Sequence, residues 1–221
     1  MAGVDIGQQS GKSTQMPYIS PKTTPRHSHA TGTMIRTAGG QKPVEALQPG
    51  DLVCTRDNGL QPVRWIASRR LDAGAFAADA SLRPVRIRAN ALGENRPVRD
   101  LVVSQQHCLL IDDWRCQLLF GEDEVLAPAI ALLNDSSVTI DRSDQPVTYY
   151  HFMFDRHEIV YSNGVATESF HPDFAGIPAM DRAKSAELFR LFPQLKTDPG
   201  AYGPKARATL HAHEVEVLMA C

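Results

Sequence analysis

The sequence predicts a mainly β domain closed at its C-terminal end by helices, and three observations predict it. Short runs rich in β-branched residues, TMIRT, DLVCT, PVRWIA, VRIRA, DLVVS, CLLID and VTIDR, recur from Gly32 onward with turn residues between them. Asn-Gly pairs at 58–59 and 163–164 sit between such runs, where a two-residue hairpin turn needs positive φ. The last fifty residues change period, with apolar positions recurring at i, i+3, i+4 and i+7.

Taken in order, residues 1–27 hold Gln, Ser, Thr, Pro and Gly without periodic apolar positions, which predicts a flexible leader. TMIRT opens the β region and AGGQK turns it. PVEALQPGD has helical spacing only at Val44 and Leu47 before Pro49-Gly50 stops it, so one short helical turn is expected. DLVCT and LQPVRWI should form a hairpin closed by a type I′ turn at Asn58-Gly59, with Trp65 packed inward. The Ala-rich LDAGAFAADASL, residues 71–82, fits either a surface loop or a short helix. VRIRA, DLVVS, CLLID and VTIDR follow as strands. VTYYHFMFDRHEIVYSNGVATESF then supplies a long β-rich hairpin turning at Asn163-Gly164. MDRAKSAELFRLF and RATLHAHEVEVLM, separated by QLKTDPGAYGP, should be two helices capping the β domain. The expected organisation is a leader at 1–27, a β domain at 28–171 and a helical appendage at 172–221.

Bulk properties narrow the function. A chain of 221 residues with 43% hydrophobic content can bury one sizeable core. Lys and Arg number 23 against 25 acidic residues, a formal net charge of -2, so no basic field points to a nucleic-acid partner. The four cysteines, Cys54, Cys108, Cys116 and Cys221, show no CxxC spacing and no disulfide framework, which is compatible with a reducing compartment. The start, MAGVDIGQQSGKSTQMPY, lacks a basic segment followed by an apolar run, and no stretch approaches the roughly eighteen apolar residues of a membrane span. The expectation is a soluble protein without a signal peptide, cytoplasmic or exported by a route that needs none.

Three groups of residues could carry chemistry. Ser28 lies just before a small-residue turn, Ala30-Thr31-Gly32-Thr33, but a serine hydroxyl is a poor nucleophile unless a neighbour removes its proton, and alone it reads as a polar leader residue. Ser104 and His107 follow the apolar strand DLVVS at SxxH spacing, which can set a hydroxyl and an imidazole around one peptide bond; a buried structural histidine gives the same pattern. His151, His157 and His171 lie near Asp155, Glu158 and Glu168, a composition zinc could use, yet no HExxH helix is present. On one strand His151 and His157 would share a face. Asp100 reads as a strand-edge carboxylate that could also reach the site. Cys108 should point away from His107 and serve packing.

Three blocks in order, ATGTMIRTAGGQKPVEALQPGDLVCTRDNGLQPVRWI, RDLVVSQQHCLLI and YYHFMFDRHEIVYSNGVATESF, resemble the bacterial Hint domain, the hedgehog/intein self-processing module, over about residues 28–171. ARATLHAHEVEVLM resembles the tail often attached to this bacterial group. The resemblance implies a Hint fold, a compact disc of irregular strands. It places Ser28 where the family has a nucleophile five positions before the Thr of a small-x-Gly-Thr turn, with Gly32 and Thr33 forming that turn. The implied chemistry is an acyl shift in which Ser28 attacks the carbonyl of His27 to give an ester, so the scissile junction is His27-Ser28. By the same resemblance His107 would protonate the departing amide nitrogen, and Ser104 would orient or strain the peptide. His157 matches the histidine of the last block and could assist proton transfer; a strand-packing or surface role remains open to it. Inteins end in His-Asn, whereas the region after Asn163-Gly164 reads Val165-Ala166-Thr167-Glu168-Ser169, so full splicing is not expected.

The expected function is therefore self-catalysed cleavage of the chain's own leader in cis, in a single turnover, with no cofactor and no metal. The rival from another class is a catalytically silent Hint scaffold acting as a binding or terminal module of a larger protein. A zinc hydrolase built on the clustered histidines is a third reading, which metal analysis would test.

Overall fold

The structure is a computed structural model that describes residues 27–172 and 182–220. The expected leader lies outside the described residues except for His27. In chain order the described elements are β1 (His29–Ala30), β2 (Met34–Thr37), β3 (Gly40–Pro43), β4 (Leu52–Cys54), β5 (Leu60–Pro62), β6 (Trp65–Leu71), α1 (Ala73–Ala78), β7 (Val85–Ile87), β8 (Leu101–Val103), β9 (Cys108–Asp112), α2 (Trp114–Phe120), β10 (Glu124–Pro128), β11 (Val138–Ile140), β12 (Val147–Met153), β13 (Ile159–Ser162), β14 (Val165–Glu168), α3 (Arg182–Leu191) and α4 (Ala212–Ala220). The domain is mainly β, as the punctuated apolar runs predict.

The strands form two antiparallel sheets. One has the order β11-β7-β8-β1-β12-β6; the other runs β10-β9-β14-β13-β2-β4-β5, with β3 pairing β2. The two-residue β1 matters beyond its length because it is hydrogen-bonded on both sides: His29 pairs with Tyr150 of β12 and with Val103 of β8. An antiparallel register carries the preceding residue, Ser28, opposite Ser104 on one flank and His151 on the other.

Local chemistry explains most boundaries. Val44–Ala46 is the one expected helical turn, a 3-10 turn. The Asn163-Gly164 turn has φ of 50° and 86° and closes the β13–β14 hairpin as a primed turn does. The Asn58-Gly59 turn departs from expectation: only Gly59 has positive φ, because Thr55 takes the Asn58 N–H on its hydroxyl and bonds the Gly59 carbonyl from both its N–H and its hydroxyl, making a wider loop. The Ala-rich 71–82 segment is helical, with Asp72 capping α1 through the Ala75 N–H and Asp79 capping a further turn at Ala80–Leu82. Between CLLID and VTIDR, where the sequence reading placed no element, stand α2, capped by Asp113 and ended by Gly121 at φ 72°, and β10, paired with β9.

Trp65 is fully buried, as expected, in a cluster with Met153, Phe170, Leu188, Phe192, Leu195 and Tyr202, so α3 and the turns after it lie on the β core. The second helical segment starts later than its periodicity suggests. Residues 208–210 are extended beside β10, with the Leu126 N–H bonded to the Ala208 carbonyl and the Leu210 N–H to the Leu126 carbonyl. α4 begins only where Glu214 reaches back to the His211 N–H, half of a capping box. Among the described residues no helix is long and apolar enough to cross a membrane.

Candidate active site

Ser28, Ser104 and His151 meet because of the register of β1. The Ser28 N–H donates to the Ser104 hydroxyl at 3.1 Å, and the Ser104 N–H donates to the Ser28 carbonyl at 3.0 Å. On the other flank the Ser28 hydroxyl lies 3.1 Å from Nδ1 and 3.3 Å from Nε2 of His151, within reach of either ring nitrogen. Ser28 is wholly buried. The chain leaves the site through the Ala30–Thr33 turn, where the Thr33 hydroxyl and N–H both bond the Ala30 carbonyl. Gly32 there has φ of 84°, a conformation that side chains rarely adopt.

His107 comes from a turn that closes when its N–H bonds the Ser104 carbonyl at 3.0 Å. Its ring is fully buried, 4.3 Å edge-on to His29, and neither ring nitrogen has a hydrogen-bond partner. Burial pushes His107 down to about 4 and, with the charge of His27, pushes His151 down to about 3. The His27 backbone counters part of that depression in both rings. Both imidazoles are neutral near pH 7, when each offers one donor and one acceptor. His27 has φ of 56°, in the left-handed region where a residue with a side chain is strained by roughly 1–3 kcal/mol.

A second layer holds His27. Its Nδ1 lies 2.5 Å from Oε1 of Glu168, whose carboxylate is fully buried. The same oxygen accepts the Cys108 N–H at 2.7 Å, and Oε2 lies 3.4 Å from Nε2 of His157. Burial alone would raise the Glu168 carboxyl, but the neighbouring His27 and His157 rings overcome it and hold it well below the usual carboxylate range. His157 is fixed in turn: Nδ1 accepts the Ala206 N–H at 2.9 Å, which leaves Nε2–H to face the Ser169 carbonyl at 3.1 Å. It stands beside Glu168. A parallel hydrogen-bond set joins His29 Nε2 to the Ser162 and Thr167 hydroxyls at 2.8 and 3.2 Å, tying β1 to the second sheet.

The structure thus brings Ser28, Ser104, His107 and His27 together and sets His157 one layer out. Sequence reasoning missed His151 and Glu168 as partners of the junction, having grouped them with the possible zinc ligands. β12 ends at Met153, so His151 and His157 do not share a strand face. His171 bonds the Gly203 carbonyl at 3.0 Å. Asp100 sits at an exposed strand edge, bonded to Arg86 and to the Ala89 N–H, away from these residues. Cys108, expected to serve packing, packs against Leu126 and Ile159, yet it also approaches His27 and Glu168. Burial and the Glu168 charge push its thiol well above the usual value.

Among the described residues the group that could hold a metal is His27, Cys108 and Glu168, whose ligand atoms lie within 4.8 Å of one another. Ligands about 2.0–2.3 Å from a tetrahedral ion stand roughly 3.3–3.7 Å apart, so the 2.5 Å His27–Glu168 bond would have to open before both bound one ion. A cavity of about 300 Å³ opens beside His27 and Cys108, lined also by Gln106, Ile130, Lys205 and His211.

The profile of the Hint domain matches residues 27–174. No curated protein matches the chain. Among solved structures, the bacterial intein-like domain from Clostridium thermocellum is 15% identical over 65% of this chain and 98% of its own, with a TM-score of 0.44. The AceL NrdHF class 3 split intein is 12% identical over 65% of this chain and 97% of its own, TM-score 0.43. The gp41-1 intein is 13% identical over 63% and 97%, TM-score 0.36.

Proposed function

The chain belongs to the Hint-domain family, and from that premise we propose that it cleaves its own backbone between His27 and Ser28, releasing the segment that ends in His27. The observation that carries the reading is the Ser28 hydroxyl 3.1 Å from a neutral histidine, with its own N–H held by Ser104. In this reading residues 1–27 are the substrate in cis, 28–171 the processing domain and 172–221 its helical appendage.

The chemistry is an isomerisation followed by transfer. His151 accepts the Ser28 hydroxyl proton as Oγ bonds to the His27 carbonyl carbon, and the tetrahedral centre collapses by breaking its bond to the Ser28 nitrogen. The proton ends on that nitrogen, relayed through the hydroxyl of Ser104 or an imidazole, so atoms and charge balance without a redox partner. His107, buried in the turn that follows Ser104, would donate to the developing oxyanion or to the leaving nitrogen, as the family resemblance implies. The left-handed His27 backbone raises the energy of the intact peptide relative to the ester. Water or another nucleophile entering by the cavity beside His27 then takes the acyl group and restores the Ser28 hydroxyl. Splicing is not proposed, since the region after Asn163-Gly164, Val165–Ser169, holds no Asn.

A silent scaffold is the second reading, favoured by the complete burial of a hydroxyl nucleophile weaker than a thiol. Intact mass of the purified chain and of Ser28→Cys, with and without hydroxylamine or dithiothreitol over a pH series, separates the two. A fragment beginning at residue 28 establishes cleavage; intact chain under every condition, in a folded protein, leaves the scaffold.

A further inference from the structure

We infer that Glu168 reads the side chain immediately before the cleaved bond and selects a histidine there. The inference deepens the proposed self-cleavage and takes its site from that reading. It begins from a burial problem. Glu168 is fully buried and ionised, and a buried carboxylate is costly unless neighbouring donors compensate it. The domain itself supplies one hydrogen bond, from the Cys108 N–H to Oε1; the His157 ring lies 3.4 Å from Oε2, which has no hydrogen-bond partner among the described residues. The shortest contact comes from the residue that cleavage removes: Nδ1 of His27 at 2.5 Å from Oε1, with the His27 ring 5% exposed. An ionised carboxylate only accepts, so Nδ1 is the donor.

The carboxylate cannot follow a different side chain. His157, which faces Oε2, is pinned at both ring nitrogens, and the Cys108 N–H belongs to the first residue of β9. Phe170 closes the far side, its ring 6.3 Å from that of His27. The position therefore asks for a donor three bonds from Cα. Histidine meets it through Nδ1. Asparagine puts an N–H at the same reach on a smaller side chain, alanine offers no donor, and aspartate sets a second carboxylate against the first.

Glu168 acts through His27 and not on the reacting atoms, so it is a positioning residue. Its effect should appear as a preference. Single-turnover cleavage is measured for His27, His27→Asn, His27→Ala and His27→Asp, each with Glu168 and with Glu168→Gln. With Glu168 the rates should fall in that order, His27→Ala by at least about tenfold and His27→Asp furthest; with Glu168→Gln the order should flatten and aspartate become tolerated. A general loss of packing would slow all four alike. The same order in both backgrounds, or equal rates across the series with Glu168, overturns the inference. The His27 series alone decides the matter should the Glu168 variant not fold. A double-mutant cycle on unfolding of the Ser28→Ala chain, with His27→Ala and Glu168→Gln, reads the pair without any cleavage. Coupling of tenfold or more in the unfolding constant upholds recognition even where no chain cleaves, in which case it is the self-cleavage reading that falls. Absence of coupling together with absence of preference removes the recognition pair.

Discussion

Ser28 and Ser104 exchange two hydrogen bonds, the N–H of each held by the other residue, one on a hydroxyl at 3.1 Å and one on a carbonyl at 3.0 Å. The second is an ordinary extension of the β1–β8 ladder. The first is not, because it commits the amide nitrogen of the proposed scissile bond to a hydroxyl that can also carry a proton. Ser104→Ala should therefore slow cleavage on the order of 10²-fold, in the range of general acid-base assistance, while costing only about 1 kcal/mol of stability. Ser104→Thr, which keeps the hydroxyl, should recover most of the rate. Single-turnover mass spectrometry beside urea denaturation checks both, and an alanine variant that cleaves at the wild-type rate would reject the role.

His151 and His107 have different roles in the proposed cleavage, so their variants should differ. The His151 ring lies 3.1 Å from the Ser28 hydroxyl, in position to take its proton. His151→Ala should reduce ester formation by roughly 10²–10⁴-fold, and because the defect is proton removal, Ser28→Cys should restore part of the rate through the more acidic thiol. His107→Ala leaves proton removal intact and should not be rescued by the same change. Rates for the two double variants distinguish these roles; equal rescue of both would contradict the assignment.

Much of this fold was legible in the sequence because it rests on local signals. The Asn163-Gly164 pair fixes a hairpin by backbone conformation, and the apolar runs from TMIRT to VTIDR each became a strand. Ser28, Ser104 and His107 were found as members of motifs. His151 and Glu168 carry no local signal, since the first lies opposite Ser28 only through the pairing of His29 with Tyr150, and the second meets His27 across 141 residues of chain. Finding His151 needs the strand order, which periodicity does not supply. α2 was missed because WRCQLLF is held by Asp113 and Gly121 at its ends while Trp114 and Leu118 stay exposed, which hides an amphipathic pattern.

The buried histidines make stability depend on pH. His107 and His151 are held near 4 and 3 in the folded chain, against about 6.5 when unfolded. Between those values the unfolded state binds protons that the folded state does not, so their contribution is complete above about pH 6.5 and is lost on acidification, at up to about 1.4 kcal/mol per pH unit for each group. Glu168 adds to this lower down, since its depressed carboxyl contributes above the ordinary carboxylate range and loses that contribution as pH falls toward its folded value. Urea midpoints should therefore drop steadily from pH 7 to pH 4. A flat profile from pH 7 to pH 5 would mean that these rings are not buried and neutral.

The Phe170 ring joins α3 to the site. Leu188 of α3 is fully buried in the cluster that contains Trp65 and Phe170. Phe170 stands edge-on to His151 with ring centres 5.0 Å apart and to His27 at 6.3 Å. Leu188→Ala should cost about 2–5 kcal/mol, the range for a leucine removed from a packed core. Because the cavity would lie behind Phe170, the loss should not remain in the tail: the ring gains room to move, the His151 and His27 rings lose their edge contact, and cleavage should slow by more than the fall in folded fraction explains. Leu188→Met, which nearly conserves volume, should restore both. Cleavage rates normalised to folded protein, measured beside the unfolding midpoints, separate the two effects; a normalised rate unchanged in Leu188→Ala would show that the tail stabilises the domain without positioning its chemistry.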